Sequence, residues 1–257
     1  MKIAIIGAGN MGGAICKGLL SGGHAAADIC VSNPSRGKLD DLKRHEPGLR
    51  TTTSNAEAAT GAYLVIIAVK PWLVRQVLEE IKLDESQTLV SVAAGVSFSD
   101  LATFTGLKSQ PMFRVIPNTA ISHLESMTII ASQNATAEQE ESILQIFGTM
   151  GKALLVPEEK MAAATSLTSC GIAYVLKYIQ AAMQAGIELG IRPADAGEMV
   201  AQSVKGAATL VLENKQHPAI EIEKVCTPGG LTIKGINQLE HDGFTSAVIN
   251  AMKASMK

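Results

Sequence analysis

A chain of 257 residues is long enough for one large domain or two modest ones, and needs no disulfide or zinc staple to hold a core. Its 22 Lys and Arg against 24 Asp and Glu leave a formal charge of −2, which argues against an electrostatic nucleic-acid binder. The 47% hydrophobic content argues against a disordered acidic tail.

Apolar runs are short. Residues 63–69 form a run of seven, where a membrane helix needs roughly 20, so no membrane partner is expected. Residues 3–6 are followed at once by glycines, with no charged leader and apolar core of a secretion signal, and the expected location is cytoplasmic. Cys16, Cys30, Cys170 and Cys226 are far apart and form no CxxC pair. They read as reduced thiols and offer no metal site.

Residues 2–6 are β-rich and lead into Gly7-Ala8-Gly9-Asn10-Met11-Gly12. Met11, Ile15, Leu19 and Leu20 then keep helical spacing. Residues 29–32 predict a second strand, and Ser54-x-x-Glu57 has the form of a capping box. Residues 64–69 are a continuous apolar run, as a strand covered on both faces requires, and 89–93 read as another buried strand, with Val74, Val77, Leu78 and Ile81 in helical register between them. Residues 113–116, 127–131 and 153–156 complete the strands, around a helix over 137–149. Such alternation predicts a doubly wound parallel α/β sheet. After Pro157 no strand is predicted, and 159–190, 194–213, 231–241 and 245–257 read as helices. The expected division is a nucleotide-binding domain over 1–157 and an all-α domain over 158–257. Residues 173–189 are apolar on more than one face, which calls for a partner subunit to cover them.

The glycine loop follows a strand, opens a helix and starts a βαβ unit, the context in which such a motif binds a dinucleotide. Gly7 permits the tight turn, Gly9 lets the backbone approach a pyrophosphate, and Gly12 allows close helix–strand packing. The second strand ends Val31-Ser32-Asn33-Pro34-Ser35-Arg36, without the acid that accepts a ribose 2′-OH. Hydroxyls, an amide and an arginine suit a 2′-phosphate instead, so NADP(H) is favoured and NAD(H) possible.

Several segments together resemble the pyrroline-5-carboxylate reductase family. They are IGAGNMGGAI at 6–15, Ala68-Val69-Lys70-Pro71, Ser91-Val92-Ala93-Ala94-Gly95-Val96 and Arg114-x-x-Pro117-Asn118-Thr119. His217-Pro218 and Val225-Cys226-Thr227-Pro228-Gly229-Gly230-Leu231-Thr232 follow in family order, and the last is the most specific. The resemblance implies a Rossmann-type domain followed by an all-α dimerisation domain with interleaved helices, in a homodimer that can assemble to a decamer. It implies NAD(P)H-dependent reduction of 1-pyrroline-5-carboxylate to L-proline, the last step of proline biosynthesis. By position, Ala8, Asn10, Met11, Ser32, Pro34, Asn55, Val69, Lys70 and Ala94 would touch the dinucleotide, with Asn118 near its nicotinamide end. Asn33, Ser35, Arg36, Ala68, Pro71, Ala93 and Gly95, in the same turns, join Gly7, Gly9 and Gly12 as expected cofactor residues. The substrate pocket maps to Glu158, Thr227, Gly230, Leu231 and Thr232.

That reaction needs an oriented ring, an anchored carboxylate and one donor beside the imine nitrogen. Glycines directly before a helix expose amides at its positive end, which suits a carboxylate. Thr227 can add a hydrogen bond, and Thr232 is the expected catalytic residue, facing the nitrogen. Helix capping is the plain alternative for both threonines. For Glu158 it is the acidic preference of a helix's first turn. Lys70 ends a strand at the carboxyl edge of the sheet, where open α/β folds bind ligands.

The chain departs from the family at Thr168-Ser169-Cys170-Gly171-Ile172-Ala173-Tyr174, where the usual pattern is Ser-Gly-Ser-Gly-Pro-Ala-Tyr. Loss of the proline predicts a more continuous helix. Thr227 replaces a serine, Leu231 a Thr or Ala, and Ala120 a proline, which bears on pocket size and substrate range. Cys170 is not expected to be a nucleophile, since no base or cation is apparent beside it. Two other readings stand beside the reductase. One is a β-hydroxyacid dehydrogenase-like enzyme with Lys177 as general acid. The other is a non-catalytic NADP-sensing Rossmann dimer.

Overall fold

The computed structural model describes residues 1–256. The chain divides into two compact units, Met1–Ser169 and Cys170–Lys257. The parting lies beyond the expected 157/158 because the first helical turns belong to the sheet unit. Met161 is buried in its core, and Glu158 is ion-paired to a strand residue.

The first unit is an eight-stranded sheet. Its strands are β1 (Ile3–Ile6), β2 (Ile29–Ser32), β3 (Arg50–Thr52), β4 (Leu64–Ile67), β5 (Thr88–Ser91), β6 (Met112–Ile116), β7 (Ser126–Gln133) and β8 (Gly151–Leu155). They lie in the order β3-β2-β1-β4-β5-β6-β7-β8, a doubly wound sheet of Rossmann order with two strands added. Helices α1 (Asn10–Ser21), α2 (Arg36–His45), α3 (Asn55–Ala59), α4 (Val74–Ile81), α5 (Phe98–Thr105) and α6 (Ala137–Gly148) connect them, with α7 (Met161–Thr165) after β8. Ile3, Ile5, Leu64 and Ile66 pack on one face with Ile15 and Leu19 of α1 and Phe147 of α6. Ala4, Ile6, Val65 and Ile67 pack on the other with Val74 and Leu78 of α4 and Leu101 of α5. Burial of both faces explains the unbroken apolar runs.

Three features differ from the expected pattern. β3 carries no apolar signature, being an edge strand with Arg50 exposed. β6 and β7 pair antiparallel, so the sheet is not wholly parallel. Residues 117–125 separate them, fewer than the dozen or so that a parallel crossover requires. Finally, the segments expected as strands at 64–69 and 89–93 outlast the strands themselves. Ala68, Val69, Val92 and Ala93 leave the ladder and line a cleft instead.

The stretch read as one helix over 159–190 changes pitch along its length. A 3-10 turn over Glu158–Lys160 leads into α7, a π-turn over Ser166–Cys170 follows, and then α8 (Gly171–Glu188). In the second unit come α9 (Pro193–Asn214), α10 (Pro218–Val225), α11 (Leu231–His241) and α12 (Phe244–Ala254). α10 was not expected; His217 caps it, its Nδ1 accepting from the Ala219 amide at 3.2 Å, with Pro218 in the first turn. Among the described residues of this unit only Gly171 and Ala196 are buried. A groove of about 610 Å³ on its surface is lined by apolar side chains including Val175, Tyr178, Met199, Phe244 and Val248. Among the described residues no helix is long and apolar enough to cross a membrane.

Candidate functional site

A cleft of about 750 Å³ opens at the carboxyl ends of β1, β4, β5 and β6. Its centre is the switch point, where the order reverses between β1 and β4. Gly7 turns the chain there with φ +107°. A Cβ on Gly12 would stand 1.9 Å from the Gly7 carbonyl oxygen, so only glycine lets the helix start this close to the turn. A Cβ on Gly9 would meet no protein atom within 4 Å, which leaves open space over that backbone. α1 begins there without a side-chain cap and without an acid in its first turn. Its free amides and positive end would therefore meet an anion unopposed.

The wall is built turn by turn. Gly7, Gly9, Asn10 and Met11 come from the loop after β1, and Ala68, Val69, Lys70 and Pro71 from the loop after β4. Ala93 and Ala94 follow β5, and Asn33, Pro34 and Asn55 close the end beyond β2. All of these were nominated from the sequence.

Other nominated residues stand outside this wall. Ser32 is fully buried, and its hydroxyl donates to Asn55 Oδ1 at 2.8 Å. It therefore positions Asn55, whose Nδ2 donates to Glu80 at 2.9 Å. The Ala8 amide is spent on Asn33 Oδ1 at 3.1 Å, and Asn33 Nδ2 donates to the Ser35 carbonyl at 2.9 Å, so these three residues shape the turn after β2. Gly12 is buried, and Gly95 lies beyond the wall. Arg36 opens α2 but lines no part of the cleft; the basic side chain that does so at this end is Lys38, two residues on. Asn118 is buried between two lining neighbours, Pro117 and Thr119, with its carboxamide spent on protein atoms.

Glu158 is also committed internally. Its Oε1 accepts from Arg114 at 2.7 Å and from the Phe98 amide at 3.0 Å, and the Arg114 guanidinium lies 5.9 Å from the Phe98 ring centre. It lines no part of the cleft and braces β6 to the start of α5.

Sequence reasoning missed Lys38, Leu73, Gln76, Val77, Glu80, Thr165 and Ser169 on the cleft wall. Gln76, Val77 and Glu80 share one face of α4, so helical periodicity could have found them.

In the helical unit, Thr227, Pro228, Gly229 and Gly230 form a tight turn in which the Gly230 amide donates to the Thr227 carbonyl at 2.9 Å. Gly229 has φ +71°, the third-position glycine of a type II turn after proline. A Cβ on Gly230 would stand 2.5 Å from the Thr227 hydroxyl. Gly230 is the N-cap of α11, with no side-chain cap and no acid in the first turn. Thr227, Leu231 and Thr232 are exposed. Neither threonine hydroxyl has a hydrogen-bond partner among the described residues, so the capping alternative is not realised. Lys177, the general acid of the alternative enzyme reading, donates to Gln180 at 2.9 Å on exposed α8.

Burial pushes the Cys16 thiol up to about 12, which makes it inert. Cys30 is raised for the same reason, and all four cysteines are unpaired.

A glycine turn under a bare helix start, in a cleft at the switch point of this sheet, defines a Rossmann-fold dinucleotide-binding protein. The residues present fit such a ligand: open space over Gly9, free amides for a pyrophosphate, and a cleft of about 750 Å³ whose wall includes both Lys38 and Ser169.

Comparison with known proteins narrows the class. A family model for pyrroline-5-carboxylate reductase dimerisation matches residues 158–257. Another, for coenzyme F420-dependent NADP oxidoreductases, matches 2–95. Pyrroline-5-carboxylate reductase 2 of Dictyostelium discoideum is 38% identical, over 99% of this chain and 90% of the relative. Pyrroline-5-carboxylate reductase 1 of the same organism is also 38% identical, and there the chain spans 48% of the relative's length. The NADP-bound crystal structure of Plasmodium falciparum pyrroline carboxylate reductase superposes with TM-score 0.90 at 27% identity, over 100% of this chain and 95% of that one. The chain belongs to the pyrroline-5-carboxylate reductase family.

Proposed function

We propose that this chain reduces 1-pyrroline-5-carboxylate to L-proline with NADPH as preferred cofactor, NADH serving less well. Family membership supports the reaction, and the observation that carries it in this chain is the bare start of α11. Its free amides, the Gly229-Gly230 turn and two unbonded threonine hydroxyls form a receiver for a small carboxylate.

NADPH held in this cleft would supply a hydride to the imine carbon, with the proton on nitrogen coming from solvent. The amides over Gly9 and the start of α1 would hold its pyrophosphate, and Asn55, Val69 and Pro71, which line the cleft, would bound the adenosine end. Lys38 is the cation for the 2′-phosphate, in place of the expected Arg36, beside a β2 turn with no acid to repel it. The Leu231 and Thr232 amides and the Thr227 hydroxyl receive the substrate carboxylate, on the turn that Gly230 closes. Thr232 is the catalytic residue, its hydroxyl hydrogen-bonding the imine nitrogen. Glu158 acts through Arg114 and not on the substrate.

We assign cofactor binding to residues 1–157. Residues 158–257 serve dimerisation and substrate binding, with their first helical turns reaching the cofactor cleft. The working form is a cytoplasmic homodimer joined through the helical unit, able to assemble to a decamer.

Absorbance loss at the nicotinamide band, with racemic 1-pyrroline-5-carboxylate, tests the reading. Rapid turnover is expected, with Thr232→Ala reducing kcat/KM by roughly 10²-fold. Lys38→Ala is expected to raise KM for NADPH roughly tenfold, the worth of one charge-assisted phosphate contact, with KM for NADH unchanged. Absence of turnover with either cofactor would sink the proposal.

A further inference from the structure

Thr165 and Ser169 lie on the cleft wall with Ile116, Pro117 and Thr119, at the carboxyl end of β6. That side of the switch point holds the nicotinamide half of a dinucleotide in a doubly wound sheet. The backbone that carries Ser169 is irregular, because Ser166–Cys170 is a π-turn. Such turns are uncommon and concentrate at functional sites.

This turn is bolted in place. Asn118 Nδ2 donates to the Thr168 carbonyl at 3.3 Å. The same carboxamide accepts from the Ala120 amide at 3.0 Å, and the Asn118 amide donates to Ser126 Oγ at 3.1 Å. Both ends of a buried side chain are thus fixed, one to the turn after β6 and one to the π-turn.

Hydroxyls within helices commonly turn back to the carbonyl four residues earlier, as Thr168 does to Ala164 at 2.9 Å. Thr165 and Ser169 do not, and neither has a hydrogen-bond partner among the described residues. Two unspent hydroxyls therefore stand on the wall beside apolar Ile116 and Pro117.

We propose that Ser169, aided by Thr165, hydrogen-bonds the carboxamide of the nicotinamide ring, and that Asn118 is the positioning residue that holds the π-turn for it. This rests on the dinucleotide reading of the cleft and is independent of the substrate.

Calorimetric titration with NADP⁺ and with 2′,5′-ADP, which has the adenosine phosphates but no nicotinamide, separates the two halves. Ser169→Ala is expected to weaken NADP⁺ roughly fivefold, as loss of one hydrogen bond does, and to leave 2′,5′-ADP unchanged. Asn118→Asp keeps the acceptor for Ala120 and loses the donor to Thr168. It is expected to show the same split, and the double variant to bind no more weakly than the worse single one, since both act through one contact. Unchanged NADP⁺ affinity in Ser169→Ala, or equal loss of both ligands, overturns the assignment. Additive losses in the double variant overturn the positioning role. A wild-type protein that binds neither ligand overturns the dinucleotide reading and this inference with it. One that binds both but reduces no pyrroline-5-carboxylate removes only the substrate reading.

Discussion

Glu158 shows how one side chain's chemistry depends on a neighbour far away in sequence. Its partner Arg114 is 13% exposed along its side chain, while Glu158 is 39% exposed. The Arg114 Nε is buried without a partner among the described residues, so that guanidinium relies on one carboxylate and the face of Phe98. Glu158→Ala is expected to cost about 1–2 kcal/mol in urea unfolding, more than a surface pair and less than a fully buried one. KM for 1-pyrroline-5-carboxylate should stay as in the wild type; a raised KM with unchanged stability would restore the substrate role. The glycine turn was legible because its requirements are local: a tight turn, a close approach and a helix start within six residues. Glu158 was not, because a bond across 44 positions leaves no mark on either end. Ser32 hides its local role for a related reason. Its polarity promised a ligand, but its hydroxyl is spent beneath the wall on Asn55.

The start of α5 ties an element's stability to pH. Ser97 caps the helix, accepting from the Asp100 amide, and Asp100 returns the contact to the Ser97 amide at 2.9 Å and hydroxyl at 2.6 Å. The Ser97 hydroxyl, then its amide, hold the Asp100 carboxyl below its ordinary range. A carboxyl lowered in the folded state stabilises it fully above the ordinary carboxylate range, and that contribution is lost as pH falls through the lowered value. Ser97→Ala should raise the Asp100 titration seen by NMR and cost about 1 kcal/mol near neutral pH, the usual worth of such a cap. The deficit should shrink in acid; one that stays constant with pH would show that Asp100 is not its source. Elements whose signal lies in their own residues were readable, as with β1, β2, β4, α4 and α6. β3 is a three-residue edge strand of Arg and Thr, and α10 buries none of its residues, so neither has an apolar pattern to read. The reversal of β7 follows from loop length, and the π-turn falls in a run with no helix breaker to announce it.

The helical unit cannot account for its own stability. With only Gly171 and Ala196 buried among its described residues, it has almost no interior, while Val175, Tyr178, Met199, Phe244 and Val248 are exposed along one groove. Contiguous exposed apolar surface of this kind marks an interface. Burying each such side chain contributes about 1.5–3 kcal/mol, enough in sum to turn an unstable helical array into a stable assembly. The match to a dimerisation family makes a second copy of this chain the fitting partner. Folding of this unit should then be coupled to association, so its thermal midpoint should rise with protein concentration. Val248→Asp would put a charge into the buried contact, where an unpaired carboxylate is strongly disfavoured. Light scattering should then find the monomer mass, or circular dichroism a loss of helical signal with the sheet unit intact. An assembly of unchanged mass whose melting is independent of concentration would place the interface elsewhere. The proposed active site depends on this outcome, because Thr227 and Thr232 belong to the unit that needs the partner. Reductase activity should therefore fall with dilution in step with the loss of the assembled mass.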